Sequence, residues 1–150
     1  MILRKAQYSR KSVVNDTKNL YIFIDNCDRT SGTIEISDES NYSKRFNKKG
    51  LKRTAAYSAS IRGLDNAFPI TIQRCVGENW TEEEFEEFKK VIDEDIKVIK
   101  KACKKLKPVS IVFPYSGLLN VDIGRITFER TPRLYEYIIK KEIELRDFEV

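Results

Sequence analysis

A short apolar run at residues 20–24 leads into Asp25-Asn26-Cys27-Asp28-Arg29-Thr30-Ser31-Gly32. Carboxylates and an amide placed together suit ribose hydroxyls or the polar edge of a base, and Arg29 suits a phosphate. Thr30, Ser31 and the backbone at Gly32 add further donors. The same residues also make an Asx turn that bonds its own backbone. A second loop, Pro114-Tyr115-Ser116-Gly117-Leu118-Leu119-Asn120, follows another apolar run. There Tyr115 can stack on a base, Ser116 and Asn120 can hydrogen-bond it, and Gly117 lets backbone approach a ligand closely. Four more arginines complete the set. Arg62 precedes Gly63, Arg74 follows a third apolar run, and Arg130 and Arg133 flank the start of the last helix, where backbone N–H groups favour anions. An ion pair of Arg133 with Glu129 or Glu136 accounts for that residue equally well.

The chain contains no histidine. That removes the commonest general base and zinc ligand, together with Ser–His and Cys–His nucleophile pairs. Asp93, Glu94 and Asp95 are consecutive on a helical pattern and point in different directions, so they do not form a cation cage. Asp25 with Asp28 is the one pairing that suggests Mg²⁺, and two loop carboxylates make a thin case. Cys27 lacks an activating partner. No metal or cofactor is expected, and capture of a ligand is favoured over its turnover.

The elements that must position these residues read clearly. Residues 20–24, 68–72 and 109–113 are short runs rich in β-formers bounded by breakers, the pattern of buried strands. Thr81 followed by Glu84 is a capping box. The apolar stripe Phe85, Phe88, Val91, Ile92, Ile96, Ile99, Cys103 and Leu106 then predicts a long helix that Pro108 stops. Its acidic start and lysine-rich end both suit the helix dipole. A second helix over 132–146 opens with Thr131 as N-cap and Pro132 as its first residue. A weaker helix is expected over 54–62, a surface loop over 38–50, and an edge strand near 2–8. Strands alternating with helices give an α/β fold: one domain over 1–150, a core over 20–146 after an N-terminal extension or edge strand at 1–19, and a mixed sheet flanked by helices in three layers.

Charge is uneven. Residues 1–75 hold 14 Lys and Arg against 7 Asp and Glu, a net of +7, whereas residues 76–150 carry a net of −2. One patch gathers Arg4, Lys5, Arg10 and Lys11; another gathers Lys44, Arg45, Lys48, Lys49, Lys52 and Arg53. A basic half suggests a phosphorylated partner, or a solvated surface that keeps the protein soluble. The 3 scattered cysteines fit a reducing compartment rather than a disulfide framework. No membrane span or signal peptide is evident, so a cytoplasmic protein is expected.

These residues resemble the landmarks of a group of small phage and bacterial proteins. Phe23-Ile24-Asp25-Asn26, Arg29 and Gly32 are similar to an F-G-D-N…R…G opening. Ser58-Ala59-Ser60-Ile61-Arg62 and Asn66-Ala67-Phe68-Pro69-Ile70-Thr71 stand where that group has G-G-Q-A-x-I-R and N-A-x-x-I-P-T. Pro114-Tyr115-Ser116-Gly117-Leu118 and Thr131-Pro132-Arg133-Leu134 match its P-x-x-G-L and proline-led helix. The pattern is similar to the macro domain, which holds ADP-ribose-like ligands against a glycine-rich loop. The chain lacks the Gly-Gly pair before Ala59, so side chains such as Arg29, Tyr57 and Arg62 would take over phosphate and base contacts. The resemblance implies a phage sponge. Such a protein binds a nucleotide signal of bacterial antiviral defence in the host cytoplasm, commonly as a homo-oligomer, without cleaving it. An ADP-ribosyl hydrolase or phosphodiesterase using Asp25 or Asp28 is the alternative, and a nucleic-acid-binding protein comes third.

Overall fold

The computed structural model describes residues 1–31, 58–75 and 77–150. Gly32, Tyr57, the 38–50 loop, the second basic patch and the first part of the weaker helix lie outside the described residues. In chain order the elements are β1 (Ile2–Ala6), α1 (Arg10–Val14), β2 (Asn19–Asn26), a 3₁₀ turn at Ala59–Ile61, β3 (Ala67–Gln73), a 3₁₀ turn at Glu82–Glu84, α2 (Phe85–Leu106), β4 (Ser110–Pro114) and α3 (Pro132–Arg146). The strands form one sheet in the order β1-β4-β2-β3. The α/β class is as expected. The sheet differs from the mixed one expected, because all three described pairings are parallel. β1 is the expected edge strand.

Alternation along β2 shows why the sheet is covered on both faces. Leu20, Ile22 and Ile24 join the larger core with Ile70, Ile72, Ile111 and the apolar sides of α2 and α3. Tyr21 and Phe23 point the other way, into a smaller core with Tyr8, Val13, Ala59, Ile61 and Val112. A central parallel strand with no polar face reads as a continuous apolar run, which is how this one reads. The Tyr8 hydroxyl donates to the Ile22 carbonyl at 2.7 Å and fixes the smaller layer on the sheet.

The capping box forms as the sequence indicates. The Thr81 amide donates to Glu84 Oε1 at 2.9 Å, and the first turn winds as 3₁₀ before α2 begins. α2 ends at Leu106 and is capped by Lys107, whose φ of 48° is left-handed and whose N–H reaches the Cys103 carbonyl at 2.8 Å. Pro108 follows, and β4 begins two residues later. α3 spans the residues expected of it. The short helix α1 is the element the sequence pattern did not reveal. Its Ser9 and Ser12 make a reciprocal capping box of their own. Among the described residues, no helix is long and apolar enough to cross a membrane.

Because the pairings are parallel, every strand delivers its following loop to the same edge of the sheet. Tyr21 lies opposite Val112 in the β2–β4 pairing. β2 therefore runs about three residues, ~10 Å, beyond the end of β4. Between β2 and β3 the register slips after Asp25, which faces Thr71, so that Asn26 faces Gln73. Irregularities of this kind re-aim side chains at the end of a strand.

Candidate functional site

Asp25 and Asn26 read from sequence as breakers beyond the strand, yet they are its last two residues and are fully buried. A buried carboxylate needs partners, and Asp25 has three among the described residues. Its Oδ1 accepts from Arg62 Nη2 at 2.5 Å and from the Asn26 amide at 2.8 Å, and its Oδ2 from Arg29 Nη1 at 3.4 Å. The Asn26 side chain folds the turn back on itself. Its Nδ2 donates to Thr30 Oγ1 and Ser31 Oγ, and its Oδ1 accepts from the Thr30 amide. This is the self-capping Asx turn, and it places Arg29 at a φ of 57°. A left-handed arginine is uncommon and costs backbone strain. Here the strain accompanies the aiming of its guanidinium down the sheet edge.

Arg29 reaches past Asp25 to Thr71 Oγ1 at 2.8 Å and to Asp95 Oδ1 at 2.9 Å. Asp95 sits on α2 with 3% of its surface exposed. Its Oδ2 accepts from the Thr71 amide at 2.8 Å and the Thr71 hydroxyl at 2.7 Å. The Thr71 carbonyl in turn accepts from buried Trp80 Nε1 at 3.2 Å. Burial pushes the Asp95 carboxyl up, and this outweighs the downward pull of Arg29 and Thr71. For Arg29, burial works against the charge, but Asp95 and Asp25 prevail and move the guanidinium upward.

Arg62 enters from the opposite side. Its Nη2 also donates to the Ser31 carbonyl at 3.2 Å, and its guanidinium lies 5.1 Å from the centre of the Phe23 ring. Its Nε is buried with no hydrogen-bond partner among the described residues. Asp25, Asn26, Arg29, Thr30, Ser31 and Arg62 thus form one bonded cluster. Two guanidiniums share a carboxylate at its centre.

The remaining candidates are held differently. Arg74 meets the cluster through its backbone, where its carbonyl accepts from the Cys27 amide at 3.0 Å. Its side chain pairs with Glu78 and Glu84, both at 2.8 Å. Arg133 pairs with Glu82 at 2.7 Å and covers the Phe85 ring, so its ionic partner is neither Glu129 nor Glu136. Arg130 donates to the Arg125 carbonyl at 2.7 Å. Tyr115 is 69% exposed and Ser116 is exposed beside it. Gly117 turns with a φ of 75°, and a Cβ there would stand 3.2 Å from Lys5 Nζ, which brings a cation to this loop. Asn120 turns at φ 59°, and its amide donates to the Ile126 carbonyl. The same loop crosses the end of β3, where Gly124 sits so tightly on Ile72 that a Cβ would meet its carbonyl oxygen at 2.6 Å. Burial pushes the Cys27 thiol up, with Arg29 pulling it down less strongly, so it is not primed as a nucleophile.

Sequence reasoning missed the roles of Thr71, Asp95 and Trp80, and it placed Lys5 in a basic patch without linking it to the Tyr115 loop. Of the three missed residues, Asp95 alone carried a readable signal. It falls within the apolar stripe of α2, between Ile92 and Ile99, where a carboxylate has to find a buried partner.

A family model described as a family of unknown function, DUF7831, matches residues 3–141. No curated protein and no solved structure matches the chain.

Proposed function

The chain belongs to DUF7831, a family of unknown function, and we propose that it binds a nucleotide-derived signal at the carboxyl edge of its sheet and holds it uncleaved. The ligand class is a cyclic oligonucleotide or an ADP-ribose derivative. The observation that carries this reading is the convergence of Arg29 and Arg62 on Asp25 at the end of β2. In open parallel sheets, ligands bind beyond the carboxyl ends of the strands. Arg62 keeps its Nε and Nη1 donors outside the described hydrogen bonds, and the Arg29 side chain is 42% exposed. Both can add a phosphate oxygen to the bonds they already make. Exposed Tyr115 lies on the neighbouring loop of the same edge and offers a ring for a base.

Capture fits this arrangement better than turnover. The Asp25 oxygens are taken by two guanidiniums and an amide, and those of Asp95 by Arg29 and Thr71, so neither faces a substrate as a base. In a phage, such a protein would lower the concentration of an antiviral signal in the host cytoplasm, and self-association would help to enclose the ligand.

The test is retention followed by release. The protein is incubated with ADP-ribose and with cyclic di- and trinucleotides, freed of unbound ligand by filtration, and denatured by heat. Intact nucleotide in the supernatant supports the reading. A cleaved product makes the protein an enzyme, and an empty supernatant for every probe removes the proposal.

A further inference from the structure

A groove rich in cationic side chains lies between α2 and the end of α3. The groove, of about 430 Å³, is lined by Lys97, Lys100, Lys101 and Lys104, with Ile96 and Phe148 as its apolar part and Asp93 and Glu144 as its carboxylates. The volume falls within the ~300–1,000 Å³ of small-molecule sites. Lysines at these spacings share one helix face, so their ammonium groups project into one space.

The charges in the groove are unequally matched. Glu144 is bound by Lys100 at 2.8 Å and by Lys141 at 3.2 Å, and Asp93 by Lys141 at 3.1 Å and by the Tyr137 hydroxyl. Both carboxylates are therefore satisfied from α3 and Lys100. Lys97, Lys101 and Lys104 pair with no carboxylate among the described residues. Lys100 and Lys104 lie 5.3 and 5.9 Å from the centre of the Phe148 ring, whose π face gathers them. The Phe148 ring therefore already engages two ammonium groups.

We infer that the α2–α3 groove is a binding site for a short chain of phosphates, free or as the tail of a nucleotide. Lys97, Lys101 and Lys104 would contact it, and Phe148 would position Lys100 and Lys104. The site is separate from the Arg29–Arg62 cluster and does not rest on its function.

Inorganic tripolyphosphate is the probe, titrated calorimetrically into the whole chain at 0.15 M salt, with a nucleoside triphosphate in a second arm. Measurable binding that falls at least tenfold in Lys97→Glu/Lys101→Glu supports the site. The control is Lys11→Glu/Lys18→Glu, which makes the same change in net charge at residues that do not line the groove. It should lose less than threefold. Lys97→Gln/Lys101→Gln gives a second reading if the charge reversal perturbs folding. Comparable affinity in the two arms assigns recognition to phosphate alone. No binding, equal losses in groove and control variants, or displacement of the probe by long single-stranded RNA at far lower phosphate concentration would each overturn the inference.

Discussion

Removing the Arg29 guanidinium should expose how much of this sheet edge is held by charge. Read from sequence, Arg29 is a ligand-binding side chain that can be replaced without harm to the fold. The structure assigns it a second task, because Asp25 and Asp95 are 0% and 3% exposed and Arg29 pairs with both. In Arg29→Ala, Asp25 keeps Arg62, but among the described residues Asp95 keeps only the two Thr71 donors. Stranding one member of a buried pair costs about 3–5 kcal/mol. Arg29 is 42% exposed, so water can partly replace it, and about 2–3 kcal/mol is the expected loss. For a chain of this size that is a fall in melting temperature of about 5–10 °C. The partner substitution isolates the cause. Asp95→Asn removes the charge that Arg29 neutralises, so Arg29→Ala/Asp95→Asn should recover ~1–2 kcal/mol relative to Arg29→Ala. Urea unfolding followed by circular dichroism measures all four species. A loss below ~0.5 kcal/mol for Arg29→Ala, or strictly additive effects in the cycle, would refute the reasoning.

Three further outcomes follow from the same geometry. Gly124→Ala should destabilise by about 1–3 kcal/mol in thermal melts, because its Cβ would collide with Ile72 at 2.6 Å and its φ is 84°. Thr81→Ala should cost about 1 kcal/mol in urea unfolding through loss of the capping box. The third concerns pH. The Lys100 bond, reinforced by Lys141, holds the Glu144 carboxyl below its usual range. Its contribution is present above the unfolded value of about 4.3 and fades as pH falls through the folded one, so the advantage of wild type over Glu144→Gln should shrink below about pH 4. Asp95 behaves oppositely. Its raised folded value makes its contribution largest in acid, so Asp95→Asn should gain on wild type as pH rises toward neutral, as melting curves from pH 3 to 7 will show.

The elements were legible where one physical signal dominated. The three apolar runs became strands because each is buried on both faces, and the Thr81–Glu84 box with its stripe of Phe and Ile fixed α2. Asp25 and Asn26 were misplaced because a polar pair after an apolar run reads as a turn, whereas partners distant in sequence keep both inside β2. Those partners, Arg62 and Thr71, lie 37 and 46 residues downstream of Asp25. Arg133 shows the same effect. Its sequence neighbours Glu129 and Glu136 seemed adequate, but the packing of α3 beside the start of α2 supplied Glu82, 51 residues away. Local reading thus found the residues of the candidate cluster more readily than the bonds between them. Asp95 stood in plain view on an apolar stripe and acquired meaning only once β3 and the Arg29 turn were placed against it.

The most direct test of the account is the affinity of Arg62→Lys for the nucleotide that wild type binds best among ADP-ribose and the cyclic di- and trinucleotides. Lysine keeps the positive charge but loses the planar fork by which Arg62 holds Asp25 and the Ser31 carbonyl and which suits a two-point contact with phosphate. The account predicts at least a tenfold weaker dissociation constant by calorimetry with a folded variant. Wild type that binds none of these nucleotides, or a lysine variant that binds as tightly as arginine, would contradict it.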